Sequence, residues 1–274
     1  MAASRIAAVG AVLVLVLTGC GGAPAPAPPS EISASAYRSR VDDATGGQFQ
    51  ITVTNTGERP VDVHSIALDS PGFDSVPPSV RDVQLQQGSR IDIPTLYGAA
   101  VCDSSVEPLS ARLSVTREGE PQRDVDVPLD QPYDIIDRIH SEECTAERVE
   151  SEVTLTLSIS APPAVSTDPL NASLEVTRGK FDGPIRVDEL AGSLLYGLKA
   201  DLPETLDANT DSVTVPLTIT TASCEAHVIA DSKKPFVFPI YLAFGDDKPV
   251  YARIPVPTEL QRQLVAYQGM ACRR

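Results

Sequence analysis

"IDIPTLYGAAVCD" (91–103) and "VTVPLTITTASCE" (213–225) decide the fold of this chain. Each reads β-branched residue, any residue, β-branched residue, proline, seven residues, cysteine, acid. Pro94 precedes Cys102 by eight positions, as Pro216 precedes Cys224. Moving outward, "FQITVTNTGERPVDV" (49–63) lies against "ASLEVTRGKFDGPIRV" (172–187). Phe49, Ile51 and Val53 match Ala172, Leu174 and Val176. A turn ending in proline then leads to Val61 and Val63, or to Ile185 and Val187. Further on, Pro128 precedes Cys144 by 16 residues and Pro257 precedes Cys272 by 15. Ordered matches at an offset of 122–129 residues indicate an internal duplication. They divide the chain into repeats at 31–147 and 148–274.

The pattern within each repeat is β. "QFQITVT" (48–54) alternates apolar and polar, as a half-buried strand does. "VTLTLSIS" (153–160), "DSVTVPLTIT" (211–220) and "FVFPIYLAF" (236–244) are rich in β-branched and aromatic residues. Turn signals such as "NTGERP", "REGEP", "FDGP" and "GDDKP" recur between them. Pro94 and Pro216 predict edge strands or bulges, because proline cannot donate to a ladder. Only 131–140 and 258–267 have helical periodicity, with Ile135, Ile136 and Ile139 on one face and Leu260, Leu264 and Val265 on the other's. Each predicted helix lies just before the second cysteine of its repeat. The expected class is all-β. The pattern resembles two tandem immunoglobulin-like β-sandwiches, each with one short helix, although it lacks the Trp and cysteine spacing of antibody domains.

The amino terminus reads as an address. Residues 6–17, "IAAVGAVLVLVL", carry no charge and follow Arg5. Twelve residues are too few to cross a bilayer core, which takes roughly 20. They suit the apolar region of a signal peptide at 1–19. Leu17, Thr18, Gly19 and Cys20 then resemble the bacterial lipobox. That resemblance implies cleavage before Cys20 and lipidation of its thiol, with acyl chains such as palmitate holding the protein on the membrane. Two or three chains, at about 0.8 kcal/mol per buried methylene, anchor a protein stably. Residues 20–30 follow as the lipidated cysteine and a Pro/Ala linker, "GGAPAPAPPS". In polyproline II conformation, at about 3.1 Å per residue, this linker reaches roughly 25–30 Å. Only five of the 22 basic residues are lysine, an Arg-rich usage similar to that of actinobacterial proteins. The expected location is the extracytoplasmic face of the cell membrane.

Of the five cysteines, four remain once Cys20 is set aside. Exported cysteines form disulfides. A domain that predates its own copy closes its own bridge, which selects Cys102–Cys144 and Cys224–Cys272 from three connectivities. The three histidines, His64, His140 and His227, sit at unmatched positions in the two repeats. Neither they nor the single methionine beyond the start, Met270, make a metal set.

A formal charge of −15 argues against nucleic acid as a partner. No G-x-S-x-G elbow, S-x-x-K set or H-E-x-x-H pattern occurs, and Ser193 in "AGSLLYG" has the wrong flanks. The adjacent acids Asp42/Asp43, Glu142/Glu143 and Asp246/Asp247 are candidate acid–base dyads, with a solvated surface as the simpler reading. The expectation is a non-catalytic, cofactor-free binding or scaffolding module that engages the membrane through Cys20 and an envelope protein or glycan through its body. The alternatives are an extracytoplasmic hydrolase or its accessory domain, which would need a concave cluster of acids or a serine beside one of the three histidines, and a small-ligand or metal carrier.

Overall fold

Alternating apolar residues become strands whose inward side chains are buried. The computed structural model describes residues 31–160 and 168–273. The expected signal peptide, Cys20 and the expected linker lie outside the described residues. The first half contains β1 (Ile32–Tyr37), α1 (Arg40–Thr45), β2 (Gln48–Asn55), β3 (Val61–Asp69), β4 (Ser79–Leu85), β5 (Arg90–Leu96), β6 (Ser110–Thr116) and β7 (Arg123–Asp130). A 3-10 turn at Pro132–Asp134 leads into α2 (Ile135–Glu152). The second half contains β8 (Val153–Ile159), β9 (Leu170–Arg178), β10 (Ile185–Leu190), β11 (Tyr196–Ala200), β12 (Glu204–Leu206), β13 (Ser212–Thr221), α3 (Ala226–Asp231), β14 (Phe238–Phe244), β15 (Val250–Ile254) and α4 (Thr258–Ala271). The protein is mainly β, with sandwich-like layering. No described helix is long and apolar enough to cross a membrane.

The first half forms one seven-stranded sheet in the order β4-β3-β6-β7-β1-β2-β5. β1 joins its two parts, pairing antiparallel with β2 and parallel with β7, and β4 and β5 stand at its edges. The second half keeps two four-stranded sheets apart, β12-β10-β14-β15 and β11-β13-β9-β8. Each half encloses its own apolar cluster, one around Phe49, Ile51, Ile66 and Leu113, the other around Leu174, Ile185, Tyr196 and Phe238. Each such side chain contributes about 1.5–3 kcal/mol by burial.

The strand registers of the two halves run in step. Ile51 faces Ile93 and Gln50 faces Pro94 in the first half; Leu174 faces Val215 and Ser173 faces Pro216 in the second. β3 shifts register between Val63 and Ser65, and β10 does so between Val187 and Glu189. One expected correspondence is corrected. Ala111 pairs with Val127 next to Pro128, and Phe238 pairs with Ile254 next to Pro255. Pro255 is therefore the structural match of Pro128, and Pro257 instead caps α4.

Other expectations are corrected as well. Pro94 does lie on an edge strand, but β13, which carries Pro216, lies between β11 and β9. The β11 ladder stops at Leu217, so Pro216 has a strand neighbour on one side only. The single short helix per half becomes two per half. α2 also runs twelve residues beyond its expected end and contains Cys144. Its tail, "SEECTAERVESE", is made mostly of good helix formers but has little apolar periodicity to reveal it. In α4, Val265 is exposed and Tyr267 joins Leu260 and Leu264 in the core.

α2 ends at Glu152 and β8 starts at Val153, so no loop separates the halves. The expected boundary at 147/148 falls inside this helix. Ile136 and Ile139 belong to the first apolar cluster, whereas Val149 belongs to the second.

Candidate functional site

A group of charged side chains gathers where α2 and the end of β1 face β15 of the second half. A cavity of about 450 Å³ opens there, within the range of small-ligand sites. α2 supplies Glu142, Glu143, Val149 and Glu150, the end of β1 supplies Arg38, and β15 supplies Val250–Arg253.

Arg38 organises one end of the cleft. Its side chain is only 10% exposed, and its Nη1 donates to Glu142 Oε2 at 2.5 Å. Its Nη2 lies 3.5 Å from Asp43 Oδ1, and Asp43 also pairs with Lys234 of the second half. The buried Nε of Arg38 has no hydrogen-bond partner among the described residues. Burial works to raise the Asp43 pKa, but Lys234, Arg38 and Arg253 together hold the carboxyl below its ordinary value. Burial opposes the Arg38 charge, and Glu142 and Asp43 more than compensate. Next to this group, Tyr97 donates to Glu143 Oε1 at 2.7 Å and accepts from the Gly47 N–H. Burial, reinforced by Glu143, pushes its phenol up to about 12.

Ser39 and Asp42 place this cluster. They form a capping box on α1, which seats Asp43 opposite Arg38. At the other end of the cleft, Arg148 on α2 reaches Asp247 at 3.0 Å, just before β15. Tyr241 and Tyr251 meet edge to face on neighbouring strands, and Arg253 Nε donates to the Tyr251 hydroxyl at 3.2 Å.

Comparison with known proteins adds no family. No family model matches the chain, and no curated protein matches it. Solved structures similar to it include a protein of unknown function from Porphyromonas gingivalis W83, at 12% identity over 81% of this chain and 97% of that one, with a TM-score of 0.20. The YadV chaperone matches at 14% identity over 81% and 99% of the two chains, with a TM-score of 0.21. Red sea bream transglutaminase matches at 11% identity over 82% of this chain and 29% of that one, with a TM-score of 0.22. Likenesses at these TM-scores leave the site to be read from its own residues.

The sequence-predicted residues divide clearly. Cys102 is bonded to Cys144 and Cys224 to Cys272. Cys20 lies outside the described residues. The acid pairs are not dyads: Asp42 turns to its cap while Asp43 turns to Arg38, and Glu142 turns to Arg38 while Glu143 takes the Tyr97 proton donor. Asp247 is held by Arg148. Ser193 fixes its own loop, donating to the Pro235 carbonyl and accepting from the Leu195 and Tyr196 N–H groups. Gly192 beside it is obligatory, since a Cβ there would lie 2.1 Å from the Tyr196 carbonyl oxygen.

The histidines sit on three separate elements. His140 rests edge-on against Phe73, with Nε2 3.2 Å from the Val101 carbonyl oxygen. His227 is exposed beside Glu225. His64, at the β3 bulge, has Nε2 2.9 Å from Thr116 Oγ1 and Nδ1 2.9 Å from Asp82 Oδ1. That is the spacing of a hydroxyl, base and orienting acid, laid across β6, β3 and β4. Among the described residues no three His, Cys, Asp or Glu side chains are placed to hold a metal ion.

Sequence reasoning did not single out Arg38, Tyr97, Glu150, Lys234 or Arg253. They act through partners up to 191 positions away, such as Asp43 for Lys234, and no local motif encodes that distance.

Proposed function

We propose that this protein is a lipid-anchored binding module of the bacterial cell envelope. Two immunoglobulin-like repeats related by duplication present the cleft between them to another envelope component. The lipobox-like stretch ending at Cys20 and the Pro/Ala linker support the anchor. The observation that carries the binding role is the cleft itself: its charges are fixed in place by Arg38, Asp43, Glu142 and Lys234 before any partner arrives. Preorganisation of this kind lowers the ordering cost of association. A photo-crosslinking amino acid placed at Tyr251 in the native lipoprotein tests the reading in living cells. It should give a discrete crosslinked species that is absent when the same group replaces the exposed Val80. Equal products from both positions, or none from Tyr251, would overturn it.

A second reading, an extracytoplasmic hydrolase, is favoured by one observation, the Thr116–His64–Asp82 alignment. In that reading His64 takes the Thr116 hydroxyl proton and Asp82 orients the ring. Fluorophosphonate labelling of Thr116, abolished by His64→Ala, would favour it; absence of labelling and of ester turnover would remove it.

A further inference from the structure

β15 ends its sheet, and among the described residues it pairs with β14 alone. Successive side chains of a strand point to opposite faces. Yet Val250, Tyr251, Ala252 and Arg253 all line the same cavity. Four consecutive strand residues share a cavity only along the strand's edge, so the space runs beside the open backbone of β15. The matching strand of the first half, β7, has that edge covered by parallel pairing of Ala34 with Leu129 and of Ser35 with Asp130. In the second half β8 pairs with β9 and forms no ladder with β15.

α2 is the facing wall, and it runs antiparallel to β15. Arg148 is tied to Asp247 before the start of the strand, whereas Glu142 is tied through Arg38 to Asp43, whose carboxyl feels the Arg253 charge. The trough is therefore polarised along its length. Glu150 stands towards the Val250 end and Arg253 at the other, and neither has an ion-pair partner among the described residues. Pro249 and Pro255 flank β15 and stop a ladder from extending past it.

We propose that a short extended peptide segment of a partner protein adds to β15 as a fifth strand, with a basic side chain towards Glu150 and an acidic one towards Arg253. The inference rests on reading the cleft as a binding site and names the chemistry it selects. The backbone of β15 supplies affinity through main-chain hydrogen bonds, and the two unpaired charges set the direction of the peptide. A second copy of the chain is a poorer occupant, because its own β15 is recessed behind its own α2.

The probe is a seven-residue synthetic peptide of valine and threonine with a lysine near one end and a glutamate near the other. Hydrogen exchange is followed on the full disulfide-bonded body. The peptide should slow exchange of the β15 amides by about tenfold or more at saturation. Methylating alternate backbone nitrogens of the peptide should abolish binding. Glu150→Lys combined with Arg253→Glu should weaken the original peptide, and exchanging the lysine and glutamate should restore binding. Binding without β15 protection, or equal binding of the methylated peptide, overturns strand addition. So does β15 protection that rises with protein concentration alone and tracks a dimer mass. If Tyr251 still crosslinks a partner in cells while the peptide fails, strand addition falls and the binding role stands. Failure of both removes both.

Discussion

Asp42 is a carboxylate with no exposed surface, held in place by what its neighbours donate. It accepts from the Ser39 N–H at 2.9 Å, Gln48 Nε2 at 2.8 Å and Gln50 Nε2 at 2.7 Å. Burial raises its pKa, but the hydrogen bonds outweigh burial and hold it below the ordinary value. A depressed folded-state pKa stabilises fully above the unfolded value, near 3.9, and that contribution is lost as pH falls through the folded one. The protein should therefore lose urea resistance below about pH 4, and Asp42→Asn should flatten that decline. Asp42→Ala should cost about 2–3 kcal/mol, since it strands one buried amide donor, Gln50, and one half-buried donor, Gln48. An unchanged denaturation midpoint would show that Gln48 and Gln50 find other acceptors. The acidic pair at 42 and 43 was visible in the sequence, but its reading as solvated surface was not the outcome. Burial of Asp42 depends on Gln50, which local pattern does not connect to it.

Among the elements, α2 does the most to unite the molecule. It carries Ile136 and Ile139 into one core and Val149 into the other. It also offers Glu142 and Glu150 to the cleft. Cys144 pins the middle of this helix to Cys102 across 42 residues. Replacing both cysteines with serine should lower stability by about 4 kcal/mol through the restored entropy of that loop. Calorimetry and urea titration on the oxidised variant would measure it, with Cys224–Cys272 still closed. A loss well under 1 kcal/mol would mean that packing alone holds the helix. The strands that α2 contacts were legible by alternation; its polar second half was not, because only Val149 marks a buried face there.

At the scale of the whole molecule, Lys234–Asp43 and Arg148–Asp247 join the halves. Exposed pairs of this kind contribute about 1 kcal/mol or less each, so they orient the halves more than they stabilise them. The proposed lipid anchor is a separate matter of membrane chemistry. Cys20→Ala should move the protein from the detergent phase to the aqueous phase on Triton X-114 partitioning, with both disulfides intact by non-reducing mass analysis. Retention in the detergent phase would sink the lipid assignment.

The sequence by itself determined the mainly β class, several of the strands and turns, and the pairing of four cysteines. Those depend on alternation, on proline and glycine, and on the spacing within each half, all of which are local or repeated signals. It did not determine the cleft. Arg38, Asp43, Glu142, Lys234 and Arg253 meet only after two separately packed halves are set against each other by one helix. The open edge of β15 likewise exists because β8 does not pair there, a choice made by tertiary packing between strands nearly a hundred residues apart.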